Sequence, residues 1–197
     1  MLEELKNLKS TTQNAPLEKI LAKFRAQRVS KYVAGKRVLD FGCGKEAWTA
    51  NTISPSSSLV HGVDASVKKA ITFSTGITVF PSLEDLPRAD YETIIALAVF
   101  EHIDPFELVD ILNRLSTITT VNGIIAGTVP TPSSRRILEF LSYKLKLIDQ
   151  SQIKDHKAYY DDLWLNVIAA KTPWKVTFYK RFQLGLNSQF LLTKSTF

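Results

Sequence analysis

The chain has 197 residues, of which 45% are hydrophobic and 22% are charged, and its formal net charge is +6. This composition is typical of a globular domain and excludes a largely disordered chain. The longest apolar run, residues 94–100, is too short to cross a bilayer, and the charged first ten residues lack the apolar core of a signal peptide. A single cysteine, Cys43, excludes an internal disulfide and a zinc site built from several thiolates. We therefore expect a soluble, cytoplasmic protein.

Strand-like apolar runs alternate with helical patterns along most of the chain. A leading helix is predicted over residues 16–33, because Pro16 suits a first helical turn. The runs that predict strands are residues 37–41, 59–64, 77–80, 91–98 and 122–129, and the helical patterns between them are residues 46–53, 66–73, 83–86 and 105–118. This alternation favours an α/β fold with a parallel sheet.

The alternation changes after the fifth predicted strand. A long helical insertion is predicted at residues 133–148, and a further helix at residues 159–170. Two strands at residues 175–184 and 188–194, separated by a turn sequence, then predict a terminal hairpin. The last strand of this hairpin is expected to lie antiparallel in an otherwise parallel sheet.

Two close glycines follow the first predicted strand, where the sequence reads VLDFGCGKEAW. At the carboxyl end of a strand, Gly42 and Gly44 allow a sharp turn and a close approach to a ligand. Asp64 ends the second predicted strand, where a carboxylate can bind both hydroxyls of a ribose. These features also fit a nicotinamide-dependent reductase. Against that interpretation, the charge of Asp40 favours a cationic ligand over a pyrophosphate.

Four segments, in this order and spacing, carry a family resemblance: VLDFGCGKEAW, VHGVDAS, LEDLPRADYETIIALAVFEHID and NGIIAGTVP. Over about residues 17–194 the chain resembles class I S-adenosylmethionine-dependent methyltransferases, in particular small bacterial-type members with a Glu-His-Ile signature after the fourth strand. The resemblance implies a Rossmann-like, seven-stranded, mostly parallel sheet with an antiparallel last strand and helices on both faces. It also implies methyl transfer from S-adenosylmethionine.

The resemblance further implies a set of cofactor-binding residues. The glycine loop would hold the methionine part, the end of the second strand the ribose, and the following loop the adenine, while the end of the fourth strand would line the sulfur. In chain order these residues are Asp40, Gly42, Gly44, Asp64, Ala65, Ser82, Leu83, Leu97 and Ala98. The chain departs from the family pattern at Ser82, where many members have an acid, and at Lys45, where a third glycine is usual.

Two histidines are candidates for a base that takes a proton from the methyl acceptor. His102 follows the fourth predicted strand, but the preferred interpretation is that His102 and Glu101 fix the start of the next helix, with Asp104 as its N-cap. His156 lies in the segment that passes over the substrate pocket in this architecture, and a solvated loop histidine is the other interpretation. Cys43 is rejected as a nucleophile because it lies inside the glycine loop. No metal site is predicted.

The acceptor is only broadly indicated. The segment ALAVFEHIDP lacks the Asn-Pro-Pro-Tyr type of motif that accompanies methylation of base amino groups, so nucleic acid is not the expected substrate. We expect a small-molecule, lipid or glycan-precursor acceptor, with oxygen favoured over nitrogen. The alternative outside enzymology is a non-catalytic module that binds an anionic partner through the basic last third of the chain. No oligomeric state is predicted.

The whole chain, residues 1–197, is interpreted as one domain. Residues 1–15 would form an N-terminal extension, and residues 131–157 a helical insertion that covers the substrate pocket. The insertion is both basic and apolar, which fits either contact with an anionic membrane surface or packing on its own domain. Packing is the preferred interpretation.

Overall fold

The computed structural model describes residues 16–134 and 157–195. The predicted N-terminal extension, nearly all of the predicted insertion at residues 133–148 and the candidate base His156 lie outside these ranges. No helix in the described part of the chain is long and apolar enough to span a membrane.

The described residues form a mostly parallel sheet of eight strands with the order β3-β4-β2-β1-β5-β6-β8-β7. The strands are β1 (Arg37–Phe41), β2 (Leu59–Val63), β3 (Ile71–Thr72), β4 (Thr78–Phe80), β5 (Tyr91–Leu97), β6 (Thr119–Pro130), β7 (Trp174–Phe182) and β8 (Asn187–Lys194). The last strand, β8, is antiparallel to both β6 and β7. The predicted parallel sheet with an antiparallel last strand is therefore confirmed, with the two-residue strand β3 as an addition to the seven expected.

Helices pack on both faces of this sheet, as predicted. They are α1 (Pro16–Val29), α2 (Trp48–Ile53), α3 (Pro105–Thr117) and α4 (Asp162–Ala169). One apolar cluster contains Leu39 and Ile94 of the sheet with Leu108, Leu112, Leu165 and Ile168 of α3 and α4. A second contains Val38 and Ile95 with Val29, Ala50 and Ile53 of α1 and α2. Since neighbouring strand residues point to opposite faces, β1 and β5 contribute to both clusters and are covered on both sides.

Two predicted helices are wrong. Residues 66–73 form turns and then β3, because the β-branched pair Ile71 and Thr72 joins β4 in an antiparallel ladder. Gly76 closes this hairpin with a φ of +82°. Residues 83–86 form a turn instead of a short helix. Helical periodicity over so few residues does not outweigh the hydrogen bonds that a neighbouring strand or a turn offers.

Two further helices are confirmed with different ends. The first ends at Val29 and continues as a short 3-10 turn, Ser30–Tyr32, instead of running to residue 33. The helix predicted from residue 159 begins at Asp162, because the side chain of Asp161 accepts a hydrogen bond from the backbone N–H of Trp164 and caps it.

Candidate functional site

The sheet reverses its direction of growth at β1, which is where a doubly wound sheet binds its ligands. Strand β1 pairs with β2 on one side and with β5 on the other, both in parallel. The loops that follow these strands therefore diverge and leave a crevice beyond their carboxyl ends. The glycine loop, Gly42 to Gly44, follows β1 into this crevice.

The two glycines of this loop have different roles. Both have positive φ angles, +74° at Gly42 and +68° at Gly44. A Cβ atom at Gly42 would lie only 2.5 Å from the Val99 side chain, so this glycine lets the loop pack against the segment after β5. A Cβ atom at Gly44 would meet no atom of the described residues within 4 Å. The space beside Gly44 is therefore open to a ligand.

Asp64 lies directly beyond β2, and its carboxylate is fixed by the loop around it. Its Oδ2 accepts a hydrogen bond from the Gly44 backbone N–H at 2.6 Å, and its Oδ1 accepts bonds from the backbone N–H and the hydroxyl of Ser66. The structure thus brings Gly44 and Asp64 together, although twenty residues separate them in sequence. The following residue, Ala65, is exposed at the same edge.

Asp40, near the end of β1, is a buried acid with an unused oxygen. Its residue surface is only 2% exposed, and its Oδ2 has no hydrogen-bond partner in the described part of the chain. Burial raises the pKa of Asp40 to about 7; the Ala50 backbone N–H opposes this rise, and the negative charge of Asp64 adds to it. A cationic group in the crevice would stabilise the ionised form of this carboxyl.

Cys43, inside the glycine loop, carries a protonated thiol. Burial and the nearby carboxylates of Asp40 and Asp64 raise the pKa of this thiol well above its usual value. Because a thiolate is the reactive form, this environment supports the rejection of Cys43 as a nucleophile.

The loop after β4 contains an acid that sequence analysis missed. The hydroxyl of Ser82 donates a hydrogen bond to Oδ2 of Asp85 at 2.7 Å. Ser82 stands where an acid is usual in the resembled family, and Asp85 brings a carboxylate to that position from three residues further on. The segment SLEDLP contains this acid, but its approach to Ser82 depends on the turn that the chain forms there. Leu83 packs against the main apolar cluster.

The chain leaves the sheet sharply after β5. Leu97 ends the strand half-buried, and Ala98 has a φ of +57°, which is uncommon for a residue other than glycine. The Ala98 backbone N–H donates to the carbonyl of Thr128 at 2.9 Å, which holds this strained residue against β6. The turn Phe100–His102 follows directly after Val99, the residue that packs on Gly42.

His102 ends this turn and is half-buried, and its backbone N–H donates to the carbonyl of Val99. The next helix is capped by Asp104, whose carboxylate accepts a hydrogen bond from the Phe106 N–H at 2.9 Å, as predicted. The side chain of Asp104 therefore sets the start of α3. Whether His102 or His156 acts as a base stays a prediction.

The chain matches a family model over most of its length. A model described as a methyltransferase domain matches residues 14–177, which is well over half of the chain. No curated protein matches the sequence significantly.

Three solved structures illustrate the likeness in fold, all at low sequence identity. The 1,6-didemethyltoxoflavin-N1-methyltransferase of Burkholderia thailandensis has a TM-score of 0.64 and 13% identity, with 98% of this chain and 90% of that chain covered. Magnesium protoporphyrin IX methyltransferase of Synechocystis has a TM-score of 0.56 and 14% identity, with 94% and 84% covered. A protein of Bordetella parapertussis has a TM-score of 0.58 and 11% identity, with 87% of this chain and only 66% of that chain covered.

The first two of these structures contain S-adenosylhomocysteine, the product of methyl transfer from S-adenosylmethionine. The sheet order, the open glycine loop and the carboxylate that follows β2 agree with the family match. The chain belongs to the methyltransferase domain family.

Proposed function

We propose that this enzyme methylates an oxygen, in preference to a nitrogen, of a small molecule, a lipid or a glycan precursor. The proposal is supported by the segment after β5, ALAVFEHIDP, which lacks the proline-rich motif of enzymes that methylate base amino groups. The Burkholderia thailandensis neighbour is named as an N1-methyltransferase, so nitrogen is the acceptor to exclude by experiment.

The main support for a cofactor site is the hydrogen bond from the Gly44 N–H to Asp64. This bond brings the Asp64 carboxylate next to the glycine loop, which is open beside Gly44. In this proposal Asp64 and Ala65 hold the nucleoside, and Gly42 and Gly44 form the wall along the methionine part. The unpartnered oxygen of Asp40 fits a cationic ligand. The residues present therefore fit S-adenosylmethionine.

The remaining cofactor contacts are proposed from the loops after β4 and β5. Ser82, Leu83 and the hydrogen-bonded Asp85 would lie along the adenine edge, and Leu97 and Ala98 beside the sulfur. When bound, the cofactor supplies a methyl group on a positively charged sulfur with a good leaving group. The protein then contributes mainly positioning and exclusion of water, with His156 or His102 available to take the acceptor proton.

The cofactor site is tested by calorimetric titration of S-adenosylhomocysteine and, separately, NADH into the purified protein. We expect S-adenosylhomocysteine to bind and NADH not to bind. Asp64→Ala should abolish that binding, whereas Asp110→Ala, which removes an exposed acid on α3, should leave it unchanged. Binding of NADH, or undiminished affinity in Asp64→Ala, would refute the assignment. An acceptor screen with oxygen and nitrogen nucleophiles then follows.

A further inference from the structure

We propose that the buried carboxyl group of Glu101 binds the methyl acceptor, by accepting a hydrogen bond from the hydroxyl or amino group that receives the methyl. This inference rests on the proposed methyl transfer and names a contact for its second substrate. It makes Glu101, rather than only the neighbouring His102, a determinant of which acceptors bind.

Glu101 lies close in sequence to the residue that packs on the glycine loop. It lies in the turn Phe100–His102, four residues beyond the end of β5. Val99, two residues before it, packs so closely on Gly42 that no side chain fits there. The turn that carries Glu101 is thus fixed directly against the cofactor loop.

The side chain of Glu101 is an unsatisfied buried acid. The residue is 2% exposed, and its Oε2 has no hydrogen-bond partner in the described part of the chain. Leaving such a group without a partner destabilises a fold, and a glutamine or an aliphatic residue would avoid most of the penalty. The start of α3 does not require it, because Asp104 caps that helix. A ligand that brings a hydrogen-bond donor would satisfy the free oxygen.

The segment 157–160 is hydrogen-bonded to the turn that carries Glu101. Its own backbone carbonyl accepts hydrogen bonds from the N–H groups of Lys157 at 2.7 Å and Ala158 at 3.2 Å, which ties the segment 157–160 to the turn. In that segment the hydroxyl of Tyr160 donates to the carbonyl of Ile103. The turn that carries Glu101 is therefore held against the segment 157–160, and Arg25 of helix α1 lies close enough for its charge to act on the carboxyl.

Burial and the neighbouring charges together set the pKa of the Glu101 carboxyl near neutral pH. Burial raises the pKa of Glu101 to about 7, while its own backbone N–H and the positive charge of Arg25, from α1, oppose the rise. The negative charges of Asp104 and Glu101 both act on Tyr160. The ammonium of Lys157 is engaged with Glu107 at 3.8 Å. An ionised Glu101 accepts a hydrogen bond from a hydroxyl or amine more strongly than a neutral side chain does.

The first test separates a ligand contact from a structural role. Glu101→Gln and Glu101→Leu are compared with the wild type by thermal unfolding at pH 8, with Asp110→Asn as a matched control for an exposed acid of α3. Because the wild-type carboxyl is mostly ionised at that pH and its Oε2 has no hydrogen-bond partner in the described part of the chain, both Glu101 variants should melt at or above the wild-type temperature, and the control should be unchanged. A lower melting temperature in both Glu101 variants would assign the residue to structure and overturn the inference.

The second test measures donor recognition in protein saturated with S-adenosylhomocysteine. Phenol, aniline and toluene serve as neutral probes of similar size, and binding is followed by ligand-observed NMR. The wild type should bind phenol, aniline or both about tenfold more tightly than toluene, the ratio that one hydrogen bond supplies. Glu101→Leu should remove this preference while the affinity for S-adenosylhomocysteine stays the same.

The outcomes are distinguishable. Equal binding of the three probes to wild-type protein that holds S-adenosylhomocysteine would refute the role of Glu101 and leave the proposed function intact. A donor preference that survives in Glu101→Leu would also refute it. Absence of S-adenosylhomocysteine binding to the wild type would refute the proposed function, and the acceptor contact with it.

Discussion

Replacing Asp40 with asparagine should stabilise the protein at pH 8 while weakening cofactor binding. The pKa of the folded-state carboxyl is raised from 3.8 to about 7, chiefly by burial. Below pH 3.8 the group is protonated in both states and costs nothing. As the pH rises toward 7, only the unfolded chain ionises, so stability is lost across this window and stays low above it. At about 1.4 kcal/mol per pKa unit, the loss reaches roughly 4 kcal/mol at pH 8.

Asparagine removes this loss without a large change in shape. The carbonyl oxygen of its side chain can still accept from the Ala50 N–H that now faces Asp40. The full 4 kcal/mol is an upper limit because a buried site relaxes around a charge, and we expect a gain of about 1 to 3 kcal/mol at pH 8. At pH 5 the gain should be about 40% of its value at pH 8, because the wild-type carboxyl is still protonated in the folded protein there.

The assay is urea denaturation of both proteins at pH 5 and pH 8, with the slopes checked for equality so that the free energies are comparable. Glu101, whose pKa is also raised to about 7, adds its own pH dependence to the wild type and to the variant alike, so only the difference between the two proteins is diagnostic. Asp110→Asn, at an exposed position, is the control and should show no such difference.

A loss of stability in Asp40→Asn at pH 8, or a pH dependence unchanged from the wild type, would refute the reasoning. Either result would mean that the carboxyl is ionised and satisfied in the folded protein. Cofactor binding gives an independent readout. Because a cationic ligand favours the ionised form of Asp40, titration of S-adenosylmethionine near pH 7 should release protons, and the variant should lose most of this release.

Three further predictions address the rest of the site. Gly42→Ala should unfold the protein or abolish S-adenosylhomocysteine binding, whereas Gly35→Ala, with a similar φ of +68° and no neighbour within 4 Å, should cost only about 1 kcal/mol in urea denaturation. Equal effects would show that contact with Val99 is unimportant. Cys43 should react slowly with a thiol reagent at pH 8 and rapidly after unfolding; a fast native reaction would contradict its raised pKa. Asp104→Ala should lower the free energy of unfolding in urea by about 1 kcal/mol, because it removes the helix cap. An unchanged free energy would show that the cap does not stabilise the protein.

The fold was predictable where the pattern was strong. Strand β1 was expected at residues 37–41 and is found at Arg37–Phe41, because a short apolar run bounded by charged and glycine residues fits only a buried strand. The glycine loop and Asp64 were predicted for the same reason, since both follow directly from strand ends. Periodicity failed over residues 66–73, where the pairing of Ile71 with Val79 depends on a hairpin that no local pattern reports.

Much of the site's chemistry was not predictable, because it depends on contacts between distant segments. Asp85 was overlooked because its role depends on a turn that brings it to Ser82. Glu101 was interpreted as a residue that fixes the next helix, whereas its carboxyl has a free oxygen in the described part of the chain and Asp104 does the capping. Whether a buried acid has a partner is a property of packing, and no single sequence window contains it.

Three acids, Asp40, Asp64 and Glu101, lie near or follow the ends of the strands β1, β2 and β5. The protein has a net charge of +6, yet it buries two of these acids. Asp40 is buried with the charge of Asp64 close to it, and Glu101 is buried in the turn that follows β5. Burial and the charge of Asp64 keep Asp40 near its titration point, and Glu101 is held there mainly by burial. Such an arrangement lowers the stability of the protein without ligands and is relieved by a cation and a hydrogen-bond donor. In the proposed function, a sulfonium cofactor supplies the cation and a hydroxyl acceptor supplies the donor.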